Sequence, residues 1–402
     1  MKRNFIVERV LVMNAIIKYF HPLVWIILSG TIFARTASFM AMPFLALYLH
    51  NELQASPLLI GVTLGIAPLF ATFGGLCGGY LTDRFGRKIV LITTVFVWSL
   101  TFIGFALAPS ALYFVVLNAV NGLCRSFFEP GTQALMIDFT EDSKKRRLFS
   151  VRYTAINIAA VMGPLLGVWI SSLSSPAIPF MITGLMYAMY GVFLFFVLNR
   201  YEMKQQKLSA QQNVLTILNA VFHDRKLLYF IAGAILITLG YSQFDSTLPQ
   251  FINLSVEDGV KLFSYVIVAN SITVLTFQLP LTMMIEKISI YASLKIGIII
   301  FSIGLFLFGV SDSAWMFIAS MIVFSVGEIF CFPMMNAVIE EIAPADQKGT
   351  YLGAGQLKNI GGFVGPILGG WLLIIAQEFM FAIIAICMLS SILIYRRALK
   401  IA

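Results

Sequence analysis

Long apolar stretches alternate along the whole chain with short breaks rich in charge, Pro, Gly or Asn. Read between those breaks, the apolar runs fall at 21–49, 57–80, 88–108, 111–139, 150–173, 177–199, 227–252, 260–284, 289–310, 313–340, 350–374 and 378–395. A helix of about 20 apolar residues crosses about 30 Å of hydrocarbon, and each run is long enough for that. None shows the alternation of a barrel strand, so the backbone groups are expected to be satisfied inside helices. The pattern predicts an all-α membrane protein with twelve transmembrane helices. The longest polar interval, 200–226, contains YEMKQQKLSAQQN and HDRK and separates an N-terminal six-helix half (1–199) from a C-terminal one (227–402).

The halves resemble each other. NIAAVMGPLLGVWI (157–170) matches NIGGFVGPILGGWL (359–372) at seven of fourteen positions. At nearly the same offset, Asp83-Arg84 falls on Glu286-Lys287, Pro130 on Pro333 and Asp138 on Glu341. A near-constant offset over several helices points to two parallel six-helix repeats related by an axis along the membrane normal. Each half then supplies a wall of the other's cavity, and a monomer is expected.

Composition agrees. Hydrophobic residues make up 59% and charged residues 11% of the chain, against about 25% charged in a soluble domain. The formal net charge of +8 would suit nucleic acid, but its placement argues otherwise. All but three of the 27 Lys and Arg lie at the termini, in the loops leading from even to odd spans, or at the helix ends beside them. The exceptions are Arg35 and Arg125, inside spans, and Lys261, near a loop of the opposite side. Basic residues collect on the cytoplasmic side, so both termini are expected there, in the cell (inner) membrane, with no nucleic-acid partner. No cleavable signal peptide is read; residues 5–20 fit an interfacial amphipathic helix or a frayed tail. Cys77, Cys124, Cys331 and Cys387 each stand alone in an apolar run, which is neither a disulfide framework nor a metal site. No G-x-x-x-x-G-K-[ST] pattern and no nucleophile constellation occurs, so neither ATP, a metal or other cofactor, nor enzyme chemistry is expected.

Between the second and third spans stands GYLTDRFGRKIVL (79–91). Its Gly79, Leu81, Asp83, Arg84, Gly86, Arg87, Lys88 and Leu91 resemble the loop signature of the major facilitator superfamily. Gly79 permits close helix approach, Gly86 a tight turn, and Asp83 with the arginines a set of exchangeable ion pairs. Asp138, at the cytoplasmic end of the fourth span, is placed to meet Arg84 or Arg87 as a gate. In the fifth span Gly163, Pro164 and Gly167 resemble the superfamily's antiporter motif, suited to a hinge between halves. The full GPxxGG recurs in the eleventh span at Gly365, Pro366 and Gly369, which weakens it as an antiporter mark. QFDSTLP (243–249) and GEIFCFP (327–333) resemble the seventh and tenth spans of the LmrP-like branch of multidrug/proton antiporters. The resemblance implies a major facilitator fold and a proton-coupling or substrate-cation role for Asp245 and Glu328. The fourth span departs from drug/proton antiporters, with Asn118 where an arginine is usual and Arg125 seven residues later.

Five ionisable residues sit well inside spans: Arg35, Arg125, Glu129, Asp245 and Glu328. Each costs about 2.5–3.5 kcal/mol at a helix centre on insertion scales, so each needs a partner, a water-filled cavity or a function. Arg125 and Glu129 are one turn apart and are expected to pair; Arg35 has no sequence partner. Phe39, Tyr241, Phe244 and Phe332 flank the charged positions and are the candidate aromatic cavity wall. The function read from this set is efflux of lipophilic, often cationic small molecules in exchange for protons. A symporter or exporter of one metabolite, or a lipid flippase, would share the fold.

Overall fold

The computed structural model describes the backbone of residues 19–173, 175–201, 224–285, 287–344, 351 and 354–400, and the side chains of these apart from 76–84 and some isolated positions. Among them are twelve helical segments long and apolar enough to cross a membrane, and no strand. The helices are α1 (Pro22–Ala41), α2 (Leu45–Asn51), α3 (Pro57–Phe85), α4 (Arg87–Leu107), α5 (Ala111–Asp138), α6 (Lys145–Leu173) and α7 (Ile178–Asn199) in the first half. The second half has α8 (Arg225–Tyr241), α9 (Gln243–Ser255), α10 (Gly259–Ile285), α11 (Ile290–Gly309), α12 (Ala314–Ile342), α13 (Asn359–Ala376) and α14 (Phe379–Lys400).

Local chemistry sets several helix ends. Pro22 opens α1, where its missing N–H costs nothing, and His21 Nδ1 accepts from Leu23 N at 3.2 Å. Asp224 caps α8 by accepting from Lys226 N (2.7 Å) and Leu227 N (3.2 Å). Gly86 separates α3 from α4 at φ +83°, a conformation that a Cβ would strain.

The runs 21–49 and 227–252 read as single helices, but both are broken. Pro43 sits in a 3-10 turn (Met42–Phe44) between α1 and α2, and α8 passes to α9 at Ser242. The breaks occupy equivalent places in the two halves, and other features pair likewise. Gln54 and Asp258, in the turns that follow, have φ of 50° and 57°. Gly30 of α1 seats the Tyr190 ring as Gly233 of α8 seats Tyr395. The internal repeat is therefore visible in backbone geometry as well as in sequence.

Each half has its own apolar core. One is built from residues between Phe20 and Leu198, around Phe102, Phe105, Phe114 and Tyr187. The other runs from Leu227 to Tyr395, around Phe301, Phe308 and Phe324, and takes in Leu47 from α2. Large apolar side chains such as Leu100, Met189, Phe196, Leu279 and Leu393 remain exposed on the outside of the bundle. A bilayer, which has no use for polar groups there, is the solvent that fits them.

The halves meet along α3 and α13. Gly61 lies against the Pro366 carbonyl, Gly65 against that of Phe363, and Gly370 against that of Pro57. Such backbone-to-backbone approach is how helices gain dispersion energy in lipid. Gly61→Leu is expected to push the seam apart at a cost of about 1–3 kcal/mol, read as a lower melting temperature in detergent. An unchanged melting temperature would show that the seam is not tightly packed.

Candidate functional site

Three of the ionisable residues of the spans gather inside the first half. From α5, Glu129 projects between two guanidinium groups, those of Arg35 on α1 and Arg152 on α6, and forms an ion pair with each. All three side chains are mostly buried, at 13–18% exposure. The expected pairing of Arg125 with Glu129 does not occur. Two arginines from neighbouring helices already saturate the carboxylate, and their fixed charge is more costly to leave unpaired there than Arg125's. Trp98 and Tyr187 stack at 4.8 Å beside the triad.

Arg125 is solvent-exposed and, among the described residues, makes no ion pair. It lies within electrostatic reach of Asp245 on α9, across the boundary between the halves. Asp245 is likewise exposed. Glu328 on α12 is half-buried; Asn270 Nδ2 donates to its Oε2 at 2.9 Å and to Ser325 Oγ at 2.9 Å. Neither Asp245 nor Glu328 has an ion-pair partner among the described residues.

Of the four candidate aromatics, Tyr241 and Phe332 pack edge to face at 4.9 Å and are half-buried. Phe244 is 6% exposed and belongs to the second core, where Phe263 and Phe324 flank it. It is therefore a core residue. Phe39 stands apart in the first half, against Gly163.

The repeated glycine motif abuts the helix breaks. Gly163 and Gly167 pack on Phe39 and Met40, just before the α1–α2 turn. Gly365 and Gly369 pack on Leu239, Ser242 and Gln243, at the α8–α9 junction. Pro164 and Pro366 lie inside α6 and α13. These contacts join helices of the same half, whereas the expectation was a hinge between halves; Gly61, Gly65 and Gly370 fill the inter-half position.

Gly79, Leu81, Asp83 and Arg84 of the loop signature are described only as backbone of α3, and most of the 200–226 linker lies outside the described residues. The signature's later residues are placed in full. Arg87 pairs with Asp138, and Lys88 donates to Asn199 Oδ1. Since α4 and α5 belong to one half, the Arg87–Asp138 pair braces that half's end and does not itself bridge the two. Two polar contacts do: Asn253 Nδ2 donates to Asn51 Oδ1 at 3.1 Å, and the Tyr153 hydroxyl donates to Gln278 Oε1.

In the sequence Arg152 reads as one more arginine of a basic helix end, where arginines report topology. Its position, about two turns into α6 and in no motif, gives no sign of Glu129. Asn118, which replaces an expected arginine, donates to the Thr63 carbonyl at 2.6 Å and accepts from Asn121 at 2.8 Å, so it belongs to packing.

The Major Facilitator Superfamily family model matches residues 27–357 and 259–400. The chain belongs to the major facilitator superfamily. It is 37% identical over 360 residues to the uncharacterized MFS-type transporter YqjV of Bacillus subtilis (strain 168), covering 88% of this chain and 87% of that one. It is 26% identical over 371 residues to a Na(+), Li(+), K(+)/H(+) antiporter of Planococcus maritimus, covering 85% and 87%. It is 23% identical over 342 residues to the multidrug resistance protein MdtH of Escherichia coli (strain SE11), covering 83% and 82%. This superfamily member is thus a multi-pass membrane transporter of a small solute, not an enzyme.

Proposed function

We propose that this transporter exports lipophilic, often cationic small molecules in exchange for protons, by alternating access between two six-helix halves (1–199 and 227–402, joined by 200–226). The observation that carries the reading is Asp245: an exposed carboxylate in a membrane span, without an ion pair among the described residues. Such a group can hold a proton or a cation but not both, which makes exchange obligatory. Glu328 is a second such group, and the half-buried Tyr241 and Phe332 offer flat apolar surface beside it. The names of two relatives, one an antiporter and one a multidrug resistance protein, point the same way. In this reading the termini and the basic ends face the cytoplasm, protons supply the work, and the protein acts as a monomer. One charge crossing 100 mV is worth about 2.3 kcal/mol.

The test is ethidium or Hoechst transport in inverted vesicles with an imposed proton gradient. Dye accumulation that stops when an ionophore collapses the gradient supports the reading. Dye movement indifferent to the gradient removes proton coupling. If Na+ or K+ alone dissipates the gradient and no dye moves, metal-cation exchange replaces the organic substrate.

The braced end has its own expected result. Asp138→Asn should slow dye transport several-fold while leaving dye binding unchanged, because Asp138 lies at the end of α5, away from Asp245. A change in binding equal to the change in rate would move Asp138 into the substrate site.

A further inference from the structure

A small cavity of about 10 Å3 lies inside the first half, lined by Arg35, Glu129 and Arg152 together with Trp98 and Tyr187. That is room for one water-sized particle. Two guanidinium groups and one carboxylate meet there, and no second acid lines the cavity among the described residues. The cluster therefore holds one positive charge in excess. Arginine stays charged at any accessible pH, and a charge held mostly out of water without compensation is costly. The Nε–H of Arg152 is buried and has no hydrogen-bond partner among the described residues. The neutral donors around the cavity are spent elsewhere. Thr31 Oγ1 donates to the Ile27 carbonyl at 2.8 Å, and Thr132 Oγ1 to that of Phe128 at 2.9 Å. Trp98 Nε1 donates to Asn121 Oδ1 at 2.6 Å, and the Tyr187 hydroxyl to the Ala34 carbonyl at 3.2 Å. What is left is a cationic donor beside a one-particle space. An occupant that only accepts and is negatively charged matches it better than water, which must also donate.

We infer that this cavity binds one small monovalent anion, a halide such as chloride, against Arg152. The space is too small for sulfate, phosphate or an organic carboxylate, so the anion is not a transported solute. It balances the charge that α1, α5 and α6 bring together and ties those helices into one unit. The site does not depend on the transport reading above and holds whatever solute moves.

The test is thermal melting of the purified full-length protein in detergent, with sodium chloride replacing sodium gluconate at constant ionic strength. Chloride is expected to raise the melting temperature by several degrees along a curve that saturates, as binding to the folded state alone requires. Bromide should act like chloride. Arg152→Gln, which leaves Arg35 and Glu129 as a balanced pair, should melt at the same temperature in both salts. Arg152→Lys keeps the charge but loses the Nε–H, and should keep only part of the rise. A rise that never saturates, or that persists undiminished in folded Arg152→Gln, means an adventitious ion only and overturns the inference. So does wild type that melts alike in the two salts. If Arg152→Gln does not fold, bromide decides on wild type. Crystals grown in sodium bromide should then show an anomalous-scattering peak within hydrogen-bond distance of Arg152, and its absence overturns the site.

Discussion

Glu129→Gln is expected to destabilise the protein more than any other single change in the spans, with a large loss of folded material in the membrane. Its carboxylate is the one negative charge between Arg35 and Arg152, and all three side chains are mostly buried. The Nε of Arg152 is already buried without a partner among the described residues, so that guanidinium depends on Glu129 for compensation. Removing one partner of a buried pair costs about 3–5 kcal/mol, because the remaining charge stays desolvated. Here two charges are left, and they repel. Against a net stability of about 5–15 kcal/mol, that loss is large. Fluorescence-detected size-exclusion chromatography and melting in detergent would measure it. The sign of rescue discriminates the cause: Glu129→Gln with Arg152→Gln should recover part of the loss, since only one unpaired arginine then remains. A single Glu129→Gln variant that melts like wild type would mean that water, not Glu129, compensates the two arginines.

Sequence reasoning reaches the fold further than it reaches the site, for a physical reason. A span announces itself through some twenty consecutive residues that must all tolerate lipid, and the repeat through matches spread over whole helices. The kinks at Met42–Phe44 and Ser242 leave a weaker trace, because Pro43 alone does not say whether a helix bends or breaks. Contacts are weaker still. That Arg35 is in a membrane implies a partner, but nothing in the order of residues says which helix supplies it. The i,i+4 spacing of Arg125 and Glu129 offers a local answer, and two non-local arginines override it. Asp245 and Glu328 stand out because a carboxylate in an apolar run is costly wherever it faces. Asn270, which orients Glu328, is uncharged and so carries no comparable signal.

Asp245→Asn and Glu328→Gln are expected to abolish gradient-driven transport, each by more than tenfold, and for different reasons. Asparagine at 245 keeps the volume and the access to water but has no proton to exchange and no charge to attract a cation. Proton coupling and affinity for a cationic group should both fall. At 328 the carboxylate is positioned by Asn270 Nδ2 at 2.9 Å. Glutamine preserves an acceptor oxygen for this donor, so the local packing should survive and the variant should melt near wild type. What it loses is the ability to switch charge. Dye should still bind, and should still equilibrate down its own gradient, but an imposed proton gradient should no longer drive accumulation. The vesicle assay separates these effects: initial rates with and without the gradient, at saturating dye, for variants matched in membrane abundance. If Glu328→Gln still accumulates dye against its gradient at half the wild-type rate or more, Glu328 is a structural carboxyl and the coupling falls to Asp245 alone. If both variants do so, the proton passes through neither, and the exchange mechanism at this cavity is wrong.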